Sequence, residues 1–485
     1  MATLKDFRDE RIKKLNSLRE QGIDPFPAHS FRDTKIIDIL HDFDGYEDKE
    51  VCVAGRIQNI RSFGKIAFII ISDDSSSDQI NDPSKIQIFL KGKAVDFTKY
   101  LDTGDFLEAK GKVAKTQTGE ISVFCDQPRI LTKAIRPLPG HDGFTNKEER
   151  FRRRYVDMNV NPEVRERFKR RSIFWDATRE YLKRDGFIEI NIPVLEVTTG
   201  GADANPFVTH MDALDEDYYL RISHELPLKR LIGGGFEKVF DIGPRFRNEG
   251  MDDEHLPEHI AMESYGAYQD YNYGIKFYEG MIKEVCEKTW GTLKFKHGDM
   301  SVDLDGEWPR KTFADIMQEY FKVDVFNPDL DQLKNILKEH KMSFDPNASA
   351  SRLLDNVWKI IRKESAGPYW LIHEPVEVSP LAKRHAEDPR VTERFHPVIF
   401  GTEMGNGFSE LNDPIDQLER FEVQQAMRDA GDDEAQMLDM DFVEMLEYGM
   451  PPTCGWGNSE RNFWLLEGVT AREGVPFPPM RRERQ

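Results

Sequence analysis

The run Phe240-Asp-Ile-Gly-Pro-Arg245-Phe-Arg247-Asn-Glu249-Gly250 reads as a strand entering a charged loop, and Pro257-Glu-His-Ile-Ala-Met-Glu263-Ser-Tyr265 reads as the strand that returns. An arginine near a strand end beside acidic and hydrogen-bonding neighbours, as Arg247 is beside Asn248 and Glu249, can clamp a carboxylate or a phosphate through two parallel N–H donors. Taken alone, the same residues would make a surface salt bridge. Two other patterns in this region do not survive inspection. His255-Leu-Pro-Glu-His259 matches the His-x-x-Glu-His spacing of a zinc peptidase class, which needs both histidines on one helical face. Pro257 lies inside that span and costs a helix about 3 kcal/mol through its missing donor and ring clash. Gly233-Gly-Gly-Phe-Glu-Lys lacks the Gly-x-Gly-x-x-Gly spacing that opens a dinucleotide-binding helix, and reads as a tight turn before a strand at Lys238–Ile242.

The elements that must position these residues change character along the chain. Leu4, Phe7, Ile12, Leu15 and Leu18 recur at helical spacing among charges, and Gly22, Pro25 and Pro27 end that pattern. Five short β-rich runs follow, at Val51–Ile57, Lys65–Ser72, Lys85–Leu90, Phe106–Ala114 and Ile121–Phe124, interrupted by a polar loop over Asp73–Ser84. They fit a small five-stranded barrel of the oligonucleotide-binding type. Pro and Gly punctuation over 136–150 marks a linker. Beyond it a long basic helix at Glu163–Asp185 and a proline-stopped strand at Gly186–Pro193 lead into recurring strands at Tyr218–Ser223, Lys238–Ile242, His259–Tyr268, Tyr369–Val378 and Pro397–Glu410. Helical segments at Tyr273–Thr289, Phe313–Phe321, Leu330–His340 and Ile415–Ala430 lie between them. Strands without single crossover helices predict an antiparallel sheet flanked by helices, an α+β domain.

Over 485 residues, 67 Lys and Arg stand against 87 Asp and Glu, a formal charge of −20. Such acidity opposes a nonspecific nucleic-acid binder, though it leaves room for a local basic surface. Phe151–Tyr155 and Arg165–Arg171 concentrate positive charge, either as such a surface or as a solvated helix face. The longest apolar stretch, around Ile66–Ile71, falls far short of the ~20 residues that span a bilayer. The first residues mix charges and lack an apolar segment, so no secretory signal and a cytoplasmic location are expected. Cys52, Cys125, Cys286 and Cys454 are too scattered for a Cys-x-x-Cys pair and are expected to be reduced thiols.

Taken together, Gly186–Pro193, the paired runs around Arg247 and Glu263, and Gly455-Trp-Gly-Asn-Ser-Glu-Arg461 resemble motifs 1, 2 and 3 of class II aminoacyl-tRNA synthetases, at about 180–195, 238–266 and 449–470. The resemblance narrows to the class II lysyl-tRNA synthetases. Leu18-Arg-Glu-Gln-Gly-Ile, Leu131-Thr-Lys-Ala-Ile-Arg-Pro-Leu-Pro, Asn161-Pro-Glu-Val-Arg, Gly200-Gly-Ala-Asp-Ala-Asn-Pro-Phe207, Pro375-Val-Glu-Val-Ser-Pro-Leu-Ala, Asn406-Gly-Phe-Ser-Glu-Leu-Asn-Asp and Gly449-Met-Pro-Pro-Thr carry it across almost the whole chain. It implies an amino-terminal helix and loop at 1–49, an anticodon-binding OB-fold barrel at 50–135, a linker at 136–150 and a class II catalytic domain at 151–485.

The implied reaction joins the lysine carboxylate to the α-phosphate of ATP, then passes the lysyl group to the terminal ribose of tRNA(Lys). It needs no protein nucleophile, so catalysis is positioning and charge neutralisation. By resemblance, Arg247 would bridge the amino-acid carboxylate and the α-phosphate, Arg461 would sit across the triphosphate, and Glu249 would meet the adenine end. His255, His259 and Glu403 complete the expected ATP site. Lysine would be held at its side chain by Glu410 and Tyr265, with Glu263 and Asn406 nearby, and at its α-amino group by Gly201 and Glu225. An ion pair at 4 Å is worth about 4 kcal/mol at an effective dielectric of about 20, against about 1 in water, which favours lysine over uncharged amino acids in a closed pocket. Arg61, Phe68, Gln87 and Glu120 match anticodon-reading positions, with barrel core as the other role open to Phe68. Mg2+ is the expected cofactor, and a homodimer is expected because motif 1 forms the class II subunit interface.

Four departures stand out. His259 replaces a phenylalanine that stacks on adenine, and brings a proton that can titrate. Glu254 stands where an arginine faces phosphate. His396 replaces a metal-binding glutamate, which leaves Glu403 as the better magnesium ligand. Motif 3 is one residue shorter than usual before Arg461. An aspartyl or asparaginyl relative shares the layout, and the acidic pocket opposes it. A degenerate RNA-binding paralogue would explain the departures but not the retained Arg247, Glu249, Glu403, Glu410 and Arg461.

Overall fold

A computed structural model describes residues 3–75, 84–140, 143–346, 348–431 and 435–482. Most of the polar loop expected over 73–84 lies outside the described residues. The chain divides into two compact units, Met1–Arg167 with Met480–Gln485, and Phe168–Pro479.

In the first unit the expected helix spans Leu4–Glu20 and starts at Thr3, whose hydroxyl accepts the Asp6 N–H while the Asp6 carboxylate accepts from the Thr3 backbone. The barrel strands are β1 (Glu50–Phe63), β2 (Ile66–Ser72), β3 (Lys85–Lys91), β4 (Phe106–Lys115) and β5 (Ile121–Cys125). β1 is long enough to pair with β4 over Glu50–Arg56 and with β2 over Arg56–Phe63, bending at a register shift between Ile57 and Asn59. With β2–β3, β3–β5 and β5–β4 also paired, that shared strand closes the barrel. Alternation sends Ala67, Ile69, Ile86, Ile88, Leu107, Ala109 and Val123 inward as a buried core. Each large side chain so buried contributes about 1.5–3 kcal/mol. A sixth strand, β6 (Arg129–Thr132), extends the sheet beside β4. It follows Pro128 and is too short for alternation to reveal.

The second unit is built on a sheet whose strand order is Arg310–Thr312, Tyr369–Ile372, Arg394–Ile399, Asn406–Ser409, Thr453–Ser459, Glu258–Ala267, Lys238–Phe246 and Ile188–Glu189, with Thr402–Glu403 paired to Arg394–Ile399. The interior pairs are antiparallel and only the two edge pairs are parallel. Helices including Tyr271–Trp290, Ala350–Arg362 and Pro414–Asp429 flank it. The run expected as one strand from Pro397 to Glu410 is broken at Phe400-Gly401, where both residues take positive φ. The strand expected over Gly186–Pro193 pairs only at Ile188–Glu189, because it is an edge closed by proline. Several cations of the basic clusters are paired within their own units: Arg153 with Glu149, Arg154 with Asp157, Arg170 with Glu467, and Arg171 with Glu460.

Candidate active site

The period of two along the sheet assembles the site. Tyr265 and Glu263 on Glu258–Ala267 lie opposite Gly455 and Gly457, which in turn lie opposite Phe408 and Asn406. These residues, with His259, Glu410, Arg245 and Arg247, line one cavity of about 400 Å³. Gly201, Glu225, Glu249, His255, His396, Glu403 and Arg461 line it too, so every residue expected to hold lysine, ATP or metal faces a single space. Gly455 must be glycine: a Cβ there would lie 2.1 Å from Glu410 Oε1 and 2.4 Å from Tyr265 Cε1. Gly201 takes φ +82°, and a Cβ would crowd Ser223 and the Glu225 side chain at 2.9 and 2.8 Å.

One end of the cavity is acidic and buried. Glu263 receives hydrogen bonds from Ser223 Oγ at 2.8 Å and Tyr265 Oη at 3.1 Å, and Arg245 approaches it at 3.4 Å. Burial pushes its carboxyl up, but His224, Arg245 and Ser223 outweigh that and hold it at about 2. Glu410, 1% exposed, has the opposite balance: burial drives its carboxyl well above the usual range, opposed by Lys229 and reinforced by Glu225. Lys229, absent from the expected site, ion-pairs with Glu410 and donates to Glu225 Oε1 at 2.6 Å.

The other end carries the arginines. Burial lowers Arg247, and Arg245 is pushed down to about 9 by burial and by Arg247. Arg245 Nε donates to His259 Nε2 at 2.8 Å, while His259 Nδ1 faces the Leu256 carbonyl at 3.1 Å. That pattern assigns the proton to Nδ1. Burial, then Arg245 and Arg247, hold the ring well below its ordinary value, so His259 is a neutral imidazole rather than a titrating cation. Glu254, from the loop, ion-pairs with Arg461. The acid that would repel phosphate is thereby matched with the arginine that would attract it. His255 lies on that loop and His259 on a strand, which disposes of the helical zinc motif.

Glu403 accepts from Trp358 Nε1 at 2.5 Å. Burial raises its carboxyl, but His396, Arg362 and Trp358 outweigh that and hold it at about 2. His396 Nδ1 lies 3.1 Å from the Gly405 carbonyl and Nε2 lies 3.1 Å from Glu374. Both ring nitrogens therefore already have protein partners. Glu374 is also claimed by Arg394 at 2.9 Å. Among the described residues no group of three or more His, Cys, Asp and Glu could hold a metal ion. The single carboxylate of Glu403 would suit a hard cation that draws its other oxygen ligands from outside the protein, and the donor set does not form a cage made of protein alone.

A family described as tRNA synthetases class II (D, K and N) matches residues 146–481, and an OB-fold nucleic acid binding domain matches 51–131. The chain belongs to the class II tRNA synthetases of the D, K and N group. Among similar proteins, a Lysine--tRNA ligase of Thermotoga maritima is 41% identical over 98% of this chain and 96% of its own length. The Lysine--tRNA ligase of Thermosipho africanus is 41% identical over 99% and 96%, and that of Fervidobacterium nodosum 42% over 99% and 95%. The chain thus carries both an OB-fold domain and a class II catalytic domain.

On the OB-fold domain, Arg61 on β1 lies opposite Phe68 on β2, Phe68 opposite Phe89 on β3, and Phe89 opposite Phe124 on β5. Phe68 is half-buried on the outward face, between the inward Ala67 and Ile69, so it is not barrel core. Its ring centroid is 5.3 Å from that of Phe89, which is 4.8 Å from Phe124. Gln87 donates to Ser122 Oγ at 2.8 Å, and Glu120 is exposed just before β5.

Sequence reasoning missed Lys229, Arg245, Arg394, Gln436, Phe89 and Phe124. Gln436 Oε1 accepts the Gly201 N–H at 3.3 Å, and Arg394 donates to Asn406 Oδ1 at 2.9 Å. The one available signal for Lys229 was its i,i+4 spacing from Glu225.

Proposed function

We propose that this chain is a lysine–tRNA ligase, which activates L-lysine with ATP and transfers it to the terminal ribose of tRNA(Lys). The observation that carries this reading is a single cavity acidic at one end and arginine-lined at the other, in a chain about 41% identical to proteins named Lysine--tRNA ligase. Glu410 Oε1 and Tyr265 accept the side-chain ammonium, while Gly201 and Glu225 take the α-amino group. Arg247 grips the carboxylate and the α-phosphate, so the reacting oxygen and phosphorus meet with their charges already neutralised. Arg461 releases Glu254 to bind the triphosphate. Glu249, His255 and the neutral ring of His259 form the adenine side. Glu403 would hold Mg2+, which when bound would add to the neutralisation of phosphate charge. Arg61, Phe68, Gln87 and Glu120 form the anticodon face, where aromatic stacking contributes about 1–3 kcal/mol per base. The enzyme works as a homodimer in the cytoplasm. The test is amino-acid-dependent exchange of pyrophosphate into ATP with all twenty amino acids, with and without tRNA. Exchange with lysine alone is expected, and exchange with aspartate or asparagine, or with none, would overturn the reading.

A further inference from the structure

Lys229 lies on the helix Glu225–Gly233, is 0% exposed, and has no way to solvate its ammonium. Its Nζ is held by Glu225 and Glu410 and lies over the rings of Phe408 at 5.1 Å, Phe442 at 5.8 Å and Tyr265 at 6.0 Å. Two carboxylates within an aromatic cage are what a lysine side chain needs, and the protein fills that place with a lysine of its own. The two carboxylates are also those assigned to the two amino groups of the substrate. Glu410 Oε2 makes the ion pair with Lys229, whereas Oε1 lies beside Gly455 and Tyr265, both of which line the cavity.

We infer that Lys229 is a positioning residue for the substrate, an internal counter-ion that grips Glu225 and Glu410 from behind and keeps one charged oxygen of Glu410 turned to the cavity. The inference rests on the lysine-ligase reading and deepens it. The groups facing Glu410 are Lys229 and Glu225 from the helix, Glu263 and Tyr265 from the central strand, and Cys454 from the next strand. Only Lys229 among them is cationic. Burial and two neighbouring carboxylates push the Glu410 carboxyl up, Lys229 alone opposes them, and its loss would push the carboxyl higher still, toward a protonated form that presents no charge to an ammonium.

The test uses the full-length enzyme in lysine-dependent pyrophosphate exchange. Lys229→Met is expected to raise KM for lysine at least tenfold at pH 7 while KM for ATP stays within about twofold, and the lysine defect should shrink as pH rises toward 9. Lys229→Arg, which keeps the charge, should retain KM for lysine within a few-fold. Lys229→Ala should regain activity with millimolar propylamine but not with propanol. A wild-type KM for lysine in Lys229→Met, or equal losses toward lysine and ATP without amine rescue, would overturn the inference. Loss of folded protein in both the Met and Arg variants would also overturn it, because the role would then be shape rather than charge. Absence of lysine exchange in the unsubstituted enzyme is a different failure, since it removes the ligase reading itself.

Discussion

The catalytic cavity and the barrel face solve recognition in opposite ways. In the cavity, buried charges are paired, Glu263 with Arg245 and Glu410 with Lys229, while Arg461 pairs with Glu254 at the more exposed side. On the barrel, the row Phe68, Phe89 and Phe124 is half-buried, shallow and uncharged, with a few polar groups at its margins. A small charged ligand gains most where the dielectric is low, whereas a nucleobase offers a flat apolar face that an open aromatic surface can meet. The two surfaces should therefore fail independently.

The sharpest break is Glu410→Lys, which sets a second ammonium against Lys229. Lysine-dependent pyrophosphate exchange should fall by at least about 10²–10³, as expected when a buried ion pair is opposed rather than satisfied. Normal turnover would remove Glu410 from the lysine pocket. Next, Phe68→Ala should weaken aminoacylation of tRNA by about tenfold, one stacked base, while exchange without tRNA is unchanged. Equal damage to both steps would make Phe68 structural and erase the contrast. A smaller effect in the opposite direction is expected from Glu254→Gln. Breaking a half-exposed ion pair is worth about 0.2–1 kcal/mol, so KM for ATP should drop by up to about fivefold with KM for lysine unmoved. A rise instead would show Glu254 helping to bind the nucleotide. Smallest is the pH response. Glu263 and Glu403 have carboxyls held at about 2 against an ordinary 4.5. A depressed carboxyl stabilises the fold above its ordinary value, and that contribution is lost as pH falls toward the folded value. Denaturant unfolding of Glu263→Gln should show a shallower loss of stability between those limits than the unsubstituted protein.

What was legible followed from local rules. Alternation located the five closing strands of the barrel, whereas Glu263, Tyr265, Asn406 and Glu410 were expected together only from the resemblance to the class II lysyl-tRNA synthetases. Proline and glycine marked the ends. β6 escaped because four residues carry too little alternation, and Ile188–Glu189 shrank because an edge ending in proline has few groups to pair. Lys229 and Arg245 escaped for a different reason: a lysine in an amphipathic helix and an arginine on a strand are ordinarily solvated, and only packing decides otherwise.

The chain by itself therefore determined its two-part layout, the strands of its barrel and the kinds of group available for binding an ammonium, a carboxylate and a phosphate, because these depend on residue type and short-range spacing. Tertiary structure alone decided that Glu410 shares its charge with Lys229, that His259 stays neutral, that both ring nitrogens of His396 meet protein oxygens, and that Phe68 faces outward in a row of three rings. Those outcomes depend on burial and on partners distant in sequence, and no local pattern encodes how many charges a closed space brings together.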